Sequence, residues 1–185
     1  MQDTDADWAL LGEGEPYFAV LSDERFLRRN LTPETLEEFW KSGVNDMAGF
    51  AEVVDKFFGR FPRGTALDFG CGVGRLTHGM AAMCEHVIGL DISPGMLAEA
   101  RRHPRDNMEF LDRLDDQTFD WVSSIIVFQH IPPRRGYALF DDLLRRVNHG
   151  GAITLHVTLY RDSRVIRHLT DELQGVRWDG DDIVL

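Results

Sequence analysis

The segment Ala66-Leu67-Asp68-Phe69-Gly70-Cys71-Gly72-Val73-Gly74-Arg75 constrains the fold of this chain more than any other. A short apolar run passes into three glycines spaced by two, and then into a helical stretch. Glycine reaches positive φ without strain and removes the Cβ that would hold a ligand away from the backbone. One glycine there serves a tight connection, whereas three at a strand-to-helix junction read as a turn that a ligand approaches closely.

From Thr65 onward, short apolar strands alternate with amphipathic stretches, the pattern of a mostly parallel sheet with crossover helices. The spacing predicts strand 65–69 and a helix to about Met83, strand 86–91 and helix 94–102, and strand 108–111. Strand 119–128 with helix 134–147 and strand 152–160 complete the series. The near-continuous apolar run at 119–128 suits a central strand covered on both faces. In 152–160, Ile153, Leu155, Val157 and Leu159 alternate with Thr154, His156, Thr158 and Tyr160, so one face is thinly covered or lines a cavity. Residues 1–64 read instead as helical and irregular, with a boundary near Pro62-Arg63-Gly64. Thr32, Pro33 and Glu34 supply a cap, a first-turn proline and an acid, and Gly43 closes a short helix at about 33–41. A second run, Met47, Phe50, Val53, Val54, Phe57 and Phe58, ends at Gly59 and presents an apolar stripe to the sheet.

Charge narrows the ligand class. Twenty Lys and Arg against 31 Asp and Glu give −11, which disfavours nucleic acid as a partner. Cys71 and Cys84 are too few for a disulfide framework and lack zinc-site spacing, so no metal is expected and a reducing cytoplasm fits. No Lys or Arg precedes Arg25 and no signal-type apolar run opens the chain. The strongest apolar stretch, Trp121 to Phe128, is interrupted by Ser123 and Ser124, so no membrane span is expected.

The turn itself excludes two common ligands. Arg75 stands where a dinucleotide fingerprint has its third small residue, and the only lysines, Lys41 and Lys56, precede the turn, so it is no P-loop. Neither lysine follows Tyr17, Tyr137 or Tyr160 by four, which removes a Tyr-x-x-x-Lys reductase dyad. Val87-Ile88-Gly89-Leu90-Asp91 puts a carboxylate at the end of the second strand, suited to the hydroxyls of a ribose. A helix cap is the alternative role for Asp91, although Ser93 and Pro94 already supply one.

The Asp68–Gly74 turn, Asp91, and Asp91-Ile-Ser-Pro-Gly-Met-Leu-Ala-Glu-Ala-Arg101 together resemble class I S-adenosylmethionine-dependent methyltransferases. The resemblance continues through Phe119–Pro132 and Leu143–Gly151 and covers roughly residues 45–160. Trp8, Gly12, Pro16-Tyr17, Val20-Leu21-Ser22 and Phe39–Gly43 are similar to a bacterial small-molecule subgroup with a helical amino-terminal segment. The resemblance implies an α/β fold, a Rossmann-like doubly wound sheet of order 3-2-1-4-5 with a shortened carboxyl-terminal edge. Residues 1–64 would cover the crevice and 65–185 would form the S-adenosylmethionine-binding methyltransferase domain. It implies methyl transfer to an oxygen or nitrogen of a small-molecule acceptor, with S-adenosylhomocysteine as product, in the cytoplasm.

The same resemblance assigns residues. Asp68, Gly70, Cys71, Gly72, Gly74 and Arg75 lie at the methionine moiety, Asp91 holds the ribose, Ile92 and Met96 flank the adenine, and Asp112 meets its amine. Phe128, Gln129 and His130 lie on the methyl side, where an imidazole suits a general base. Alternatives stand beside these: Asp68 as organiser of the turn, Cys71 as a buried filler, and His130 as support for the Ile131-Pro-Pro turn. Arg134-Arg135 reads as a solvated helix face. An inactive cofactor-binding domain, serving as an interaction or regulatory subunit, is the rival function. Residues 161–185 leave room for a helix near Arg164–Leu173 and a hairpin through Trp178-Asp179-Gly180-Asp181. An incomplete edge at strand five predicts a homo-oligomer.

Overall fold

The computed structural model describes residues 4–157, 177–179 and 182–184. Strands β1 (Thr65–Phe69), β2 (His86–Leu90), β3 (Met108–Leu111), β4 (Phe119–Ser124) and β5 (Val147–Leu155) form one parallel sheet of order β3-β2-β1-β4-β5. The chain moves outward from β1 through α4 (Arg75–Ala81) and α5 (Pro94–Ala100), then returns beside β1 as β4 and leaves through α6 (Pro133–Arg145). The order therefore reverses between β1 and β4, where a doubly wound sheet opens its ligand crevice. A separate antiparallel pair, β6 (Arg177–Asp179) and β7 (Asp182–Val184), sets Asp179 opposite Asp182, the expected hairpin. Residues 158–160 of the predicted fifth strand and the predicted helix near 164–173 lie outside the described residues.

β4 is central as its apolar run predicts, with Phe119, Trp121 and Val122 all 1 % exposed or less. The Trp121 indole N–H donates to Thr154 Oγ1 at 3.0 Å, and its ring meets Phe61 edge-on at 4.7 Å. Two boundaries differ from expectation. β4 stops at Ser124 instead of running to 128, because Ile126 turns to φ 62 and residues 128–130 form a 3-10 turn. β5 starts at Val147, five residues early, by absorbing a register shift and Gly150 at φ 80.

Ahead of the sheet lie α1 (Thr4–Gly14), α2 (Pro16–Val20) and the 26-residue α3 (Pro33–Phe58). Thr32 caps α3 reciprocally with Thr35, and Gly59 at φ 73 ends it. The expected stop at Gly43 is absent. That glycine is a contact: a Cβ there would overlap the Arg75 carbonyl, and one on Gly79 would sit 2.9 Å from Met47 Cγ. Close packing of α3 on α4 outweighs the ~1 kcal/mol that a mid-helix glycine costs. Met47, Ala51 and Val54 enter the core beside Ala66 and Trp121, whereas Phe57 and Phe58 stay 73 % and 75 % exposed, so the stripe covers the sheet only as far as Val54. Gly43→Ala is expected to destabilise the fold by about 1–3 kcal/mol, the cost of overpacking. Urea unfolding would show it as a lower midpoint at constant slope, and an unchanged midpoint would mean that the helix pair has slack.

The amino-terminal helix is seated by a glycine pair. A Cβ on Gly95 of α5 would stand 2.7 Å from the Gly12 carbonyl carbon, and one on Gly12 would overlap Ser93 Oγ. α1 thereby lies against the start of α5, at the carboxyl edge of the sheet.

Candidate functional site

A crevice of about 320 Å³ opens at the carboxyl ends of β1, β2 and β4, roofed by Thr4, Asp5 and Trp8 of α1 and by Ala19 and Val20 of α2. Gly70, Gly72 and Gly74 have φ values of 77°, 55° and 87°, so side chains would be strained at all three positions. They face different neighbours. A Cβ on Gly70 would overlap Val127, and one on Gly72 would lie 2.7 Å from Val20 Cγ2. Gly74 caps α4 and points at the Phe110 ring, away from the crevice that Gly70, Cys71 and Gly72 line. The N–H groups of Gly70 and Cys71 both donate to the Leu90 carbonyl, at 2.8 and 2.9 Å, tying the turn to β2.

Asp91 lines the crevice and joins its two halves: one carboxylate oxygen accepts the Gly72 N–H and the other the Ser93 N–H, each at 2.8 Å. Capping of α5 falls to Ser93, whose Oγ accepts the Met96 N–H at 3.4 Å. Burial raises the Asp91 pKa above the usual carboxylate range, opposed by these backbone bonds. The Ile92 backbone also bonds to this carboxylate, whose roughly four acceptor sites leave room for a further donor.

Asp68 is 1 % exposed and accepts the Thr77 hydroxyl at 2.6 Å. Burial pushes its carboxyl up to about 6, against the opposing Thr77 bond and the Arg75 charge. The unfolded chain titrates near the ordinary 3.8, so between these values the folded protein binds more protons. The stability present below that lower value is lost as pH rises through about 6. Asp68→Asn removes this loss, so the melting temperature of the variant relative to wild type is expected to rise from about pH 5 to about pH 8. An offset independent of pH would show that Asp68 does not titrate there.

Arg75, 4 % exposed, lines the crevice and donates from Nη1 to Ser42 Oγ at 2.9 Å and Asp46 Oδ2 at 2.7 Å, fastening α3 to the turn. Cys71 is buried and its thiol is pushed well above the ordinary range by burial, which fits a filler and no nucleophile. Met96 is buried beneath the crevice, while Ile92, 49 % exposed, and Asp112 line its mouth.

On the other side the predicted residues separate. Phe128 packs behind the wall, its ring 6.0 Å from Phe69 in the cluster around Leu67, Val122 and Leu143. Gln129 lies beside it and places its amide nitrogen 3.2 Å from His130 Nε2. His130 lines the crevice, and its ring meets Trp8 edge-on at 5.0 Å. Arg134 and Arg135 are exposed, as expected of a solvated helix face, but Arg135 also reaches the crevice. It donates to both Asp5 oxygens, at 2.6 and 2.7 Å, pinning α1 to α6 across 130 residues of chain. Asp5, Ile126, Arg135 and Leu139 carry no local sequence signal for this crevice, and Trp8 has only its place in the amino-terminal resemblance.

A glycine turn after β1, a carboxylate ending β2 and a crevice where the strand order reverses define a Rossmann-like fold built to take a nucleoside-bearing ligand. Residues 66–151 match the methyltransferase-domain family, and over that stretch the chain is similar to methyltransferases. It is 32 % identical over 81 residues to a ubiquinone biosynthesis O-methyltransferase of Hahella chejuensis, covering 38 % of this chain and 34 % of that protein. To a demethylmenaquinone methyltransferase of Clavibacter sepedonicus it is 34 % identical over 98 residues, 48 % of this chain and 39 % of that one. The chain thus spans little more than a third of the length of these relatives. Among solved structures, a DhpI complex with SAM and HEP superposes at TM-score 0.57 and 23 % identity, covering 93 % of this chain and 72 % of that one. Magnesium protoporphyrin IX methyltransferase from Synechocystis with bound SAM superposes at 0.55 and 19 % identity, over 96 % and 88 %. At these identities the superpositions establish the fold.

Proposed function

We propose that this protein transfers a methyl group from S-adenosylmethionine to an oxygen or nitrogen of a small-molecule acceptor, releasing S-adenosylhomocysteine. The observation that carries this reading is one crevice with the glycine turn and Asp91 at one end and His130 at the other, under α1. The residues fit the cofactor. Gly70 and Gly72 bring backbone without Cβ atoms to the crevice, Asp91 would accept from a ribose hydroxyl, Ile92 and Met96 would give apolar contact to a purine, and Asp112, which also lines the crevice, would meet its amine. When bound, S-adenosylmethionine supplies a methyl group on a positively charged sulfur. The chain holds the acceptor in line with that methyl, which by itself accounts for a large part of such accelerations, and His130 takes the acceptor proton.

The relatives named as a ubiquinone biosynthesis O-methyltransferase and a demethylmenaquinone methyltransferase support a small-molecule acceptor, and the charge of −11 argues against a nucleic-acid one. No helix among the described residues is long and apolar enough to cross a membrane, and both cysteines are free, which supports a cytoplasmic setting. Calorimetric titration with S-adenosylmethionine and S-adenosylhomocysteine, followed by a methylation screen of metabolite extracts, tests the reading. Binding of both with a methylated product is expected. Failure to bind either removes it, and binding without transfer to any acceptor favours a regulatory cofactor-binding subunit.

A further inference from the structure

Of the two helices that roof the crevice, α2 is the shorter, and only one of its five residues, Pro16, Tyr17, Phe18, Ala19 and Val20, has a polar side chain. A helix of that length does not hold an orientation by itself, so the place of Ala19 and Val20 over the crevice is set by what α2 is tied to. Tyr17 makes the tie. It is buried, and its hydroxyl donates to Glu99 Oε1 of α5 at 2.9 Å and lies 3.1 Å from His103 Nε2. The hydroxyl has one proton and Glu99 takes it, so Nε2 of His103 donates to the Tyr17 oxygen. Burial first, and then the Glu99 bond, raise the Tyr17 pKa above its ordinary value, which keeps the hydroxyl a donor at neutral pH.

Both partners of Tyr17 are themselves held. The His103 carbonyl accepts His78 Nε2 of α4 at 2.9 Å, and the Trp40 ring of α3 lies against both imidazoles, 4.6 Å from His78 and 4.8 Å from His103. Glu99 also accepts Arg102 Nη1 at 3.0 Å. Tyr17 therefore ends on a bracket built by α3, α4 and α5, outside the crevice, which none of Tyr17, Glu99 and His103 lines. The other end of α2 faces the glycine turn. A Cβ on Gly72 would stand 2.7 Å from Val20 Cγ2, so a ligand lying along that turn is bounded on its far side by Val20.

Resting on the cofactor reading above, we infer that Tyr17 is a positioning residue for cofactor retention: its bonds to Glu99 and His103 hold Val20 over the glycine turn and so set how long the cofactor stays bound. Tyr17 touches no ligand itself. Without its hydroxyl, α2 lifts more readily and the exit opens, while the surface offered by the turn and Asp91 is unchanged. Release then changes more than capture.

Surface plasmon resonance of S-adenosylhomocysteine over the immobilised protein gives both rates. Tyr17→Phe and Glu99→Ala are each expected to raise the dissociation rate about 10-fold, the scale of a hydrogen bond to a charged group, with association within about twofold of wild type. The double variant adds less than about twofold to either, because one bond is being removed twice, and Glu99→Gln, which keeps an acceptor oxygen, restores most of the loss. Tyr17→Phe is then made in a Val20→Ala background. A hydroxyl that acts through Val20 has nothing left to hold there, so dissociation changes by less than about twofold, whereas a residue that merely stabilises the fold keeps its full effect. Dissociation from Tyr17→Phe within about twofold of wild type, or independent effects of the Tyr17 and Val20 substitutions, overturns the assignment while wild-type binding leaves the methyl-transfer reading intact. Absence of S-adenosylhomocysteine binding by the wild type overturns both.

Discussion

Replacing His130 with alanine is expected to lower turnover about 10²–10⁴-fold, the usual loss on removing a positioned general base, while S-adenosylhomocysteine affinity stays within about twofold. The two readouts separate because the residues lie at different ends of one crevice. The imidazole sits against Trp8 and Gln129 on the side of α1 and α6, whereas the turn and Asp91 are tied to β2 and α5. If His130 served only to shape the Ile131-Pro-Pro turn, alanine would disturb Trp8 and the roof, and cofactor affinity would fall along with turnover. The acceptor provides a second control. An acceptor that arrives already ionised needs no base, so the variant should methylate it almost as fast as the wild type by proximity alone. A loss below about 10-fold with a neutral hydroxyl acceptor would end the base assignment and leave alignment as the whole mechanism.

What the sequence discloses here follows the range of the interactions. The turn is legible because its three glycines answer to backbone sterics at their own positions, and each sits at positive φ. Asp91 is legible because strand length alone puts it at the sheet edge beside that turn, and Thr32 because capping is a matter of neighbours three residues away. The roof of the crevice is not legible in the same way. The Asp5–Arg135 pair joins residues 130 apart, and nothing local distinguishes either from an ordinary solvated charge. Gly43 misleads for a related reason. A glycine that lets two helices touch and a glycine that ends a helix look alike until the partner, here the Arg75 carbonyl, is in place. The early end of β4 is similar: Ile125, Ile126 and Val127 continue the apolar run, but their space is allotted by Gly70 and the crevice, so the composition of a buried strand is spent on a strained corner.

Asp91→Ala is expected to weaken S-adenosylhomocysteine about 10–100-fold, since a carboxylate holding a ribose diol contributes ~1.5–3 kcal/mol. The structure complicates that simple reading, because Asp91 already accepts the Gly72 and Ser93 N–H groups and so organises the turn as well as facing the crevice. Alanine would leave both N–H groups seeking partners, and a fall in affinity could then come from a disordered turn. A ligand lacking one ribose hydroxyl resolves the two roles through a thermodynamic cycle. If the carboxylate touches the diol, wild type loses affinity for the deoxy analogue, and Asp91→Ala, having already lost that bond, loses little more. If Asp91 acts only through the turn, wild type and variant lose the same factor when the hydroxyl is removed. Equal losses, with the melting temperature of the ligand-free variant lowered, would take Asp91 out of the binding surface and make the glycine turn itself the element that holds the cofactor.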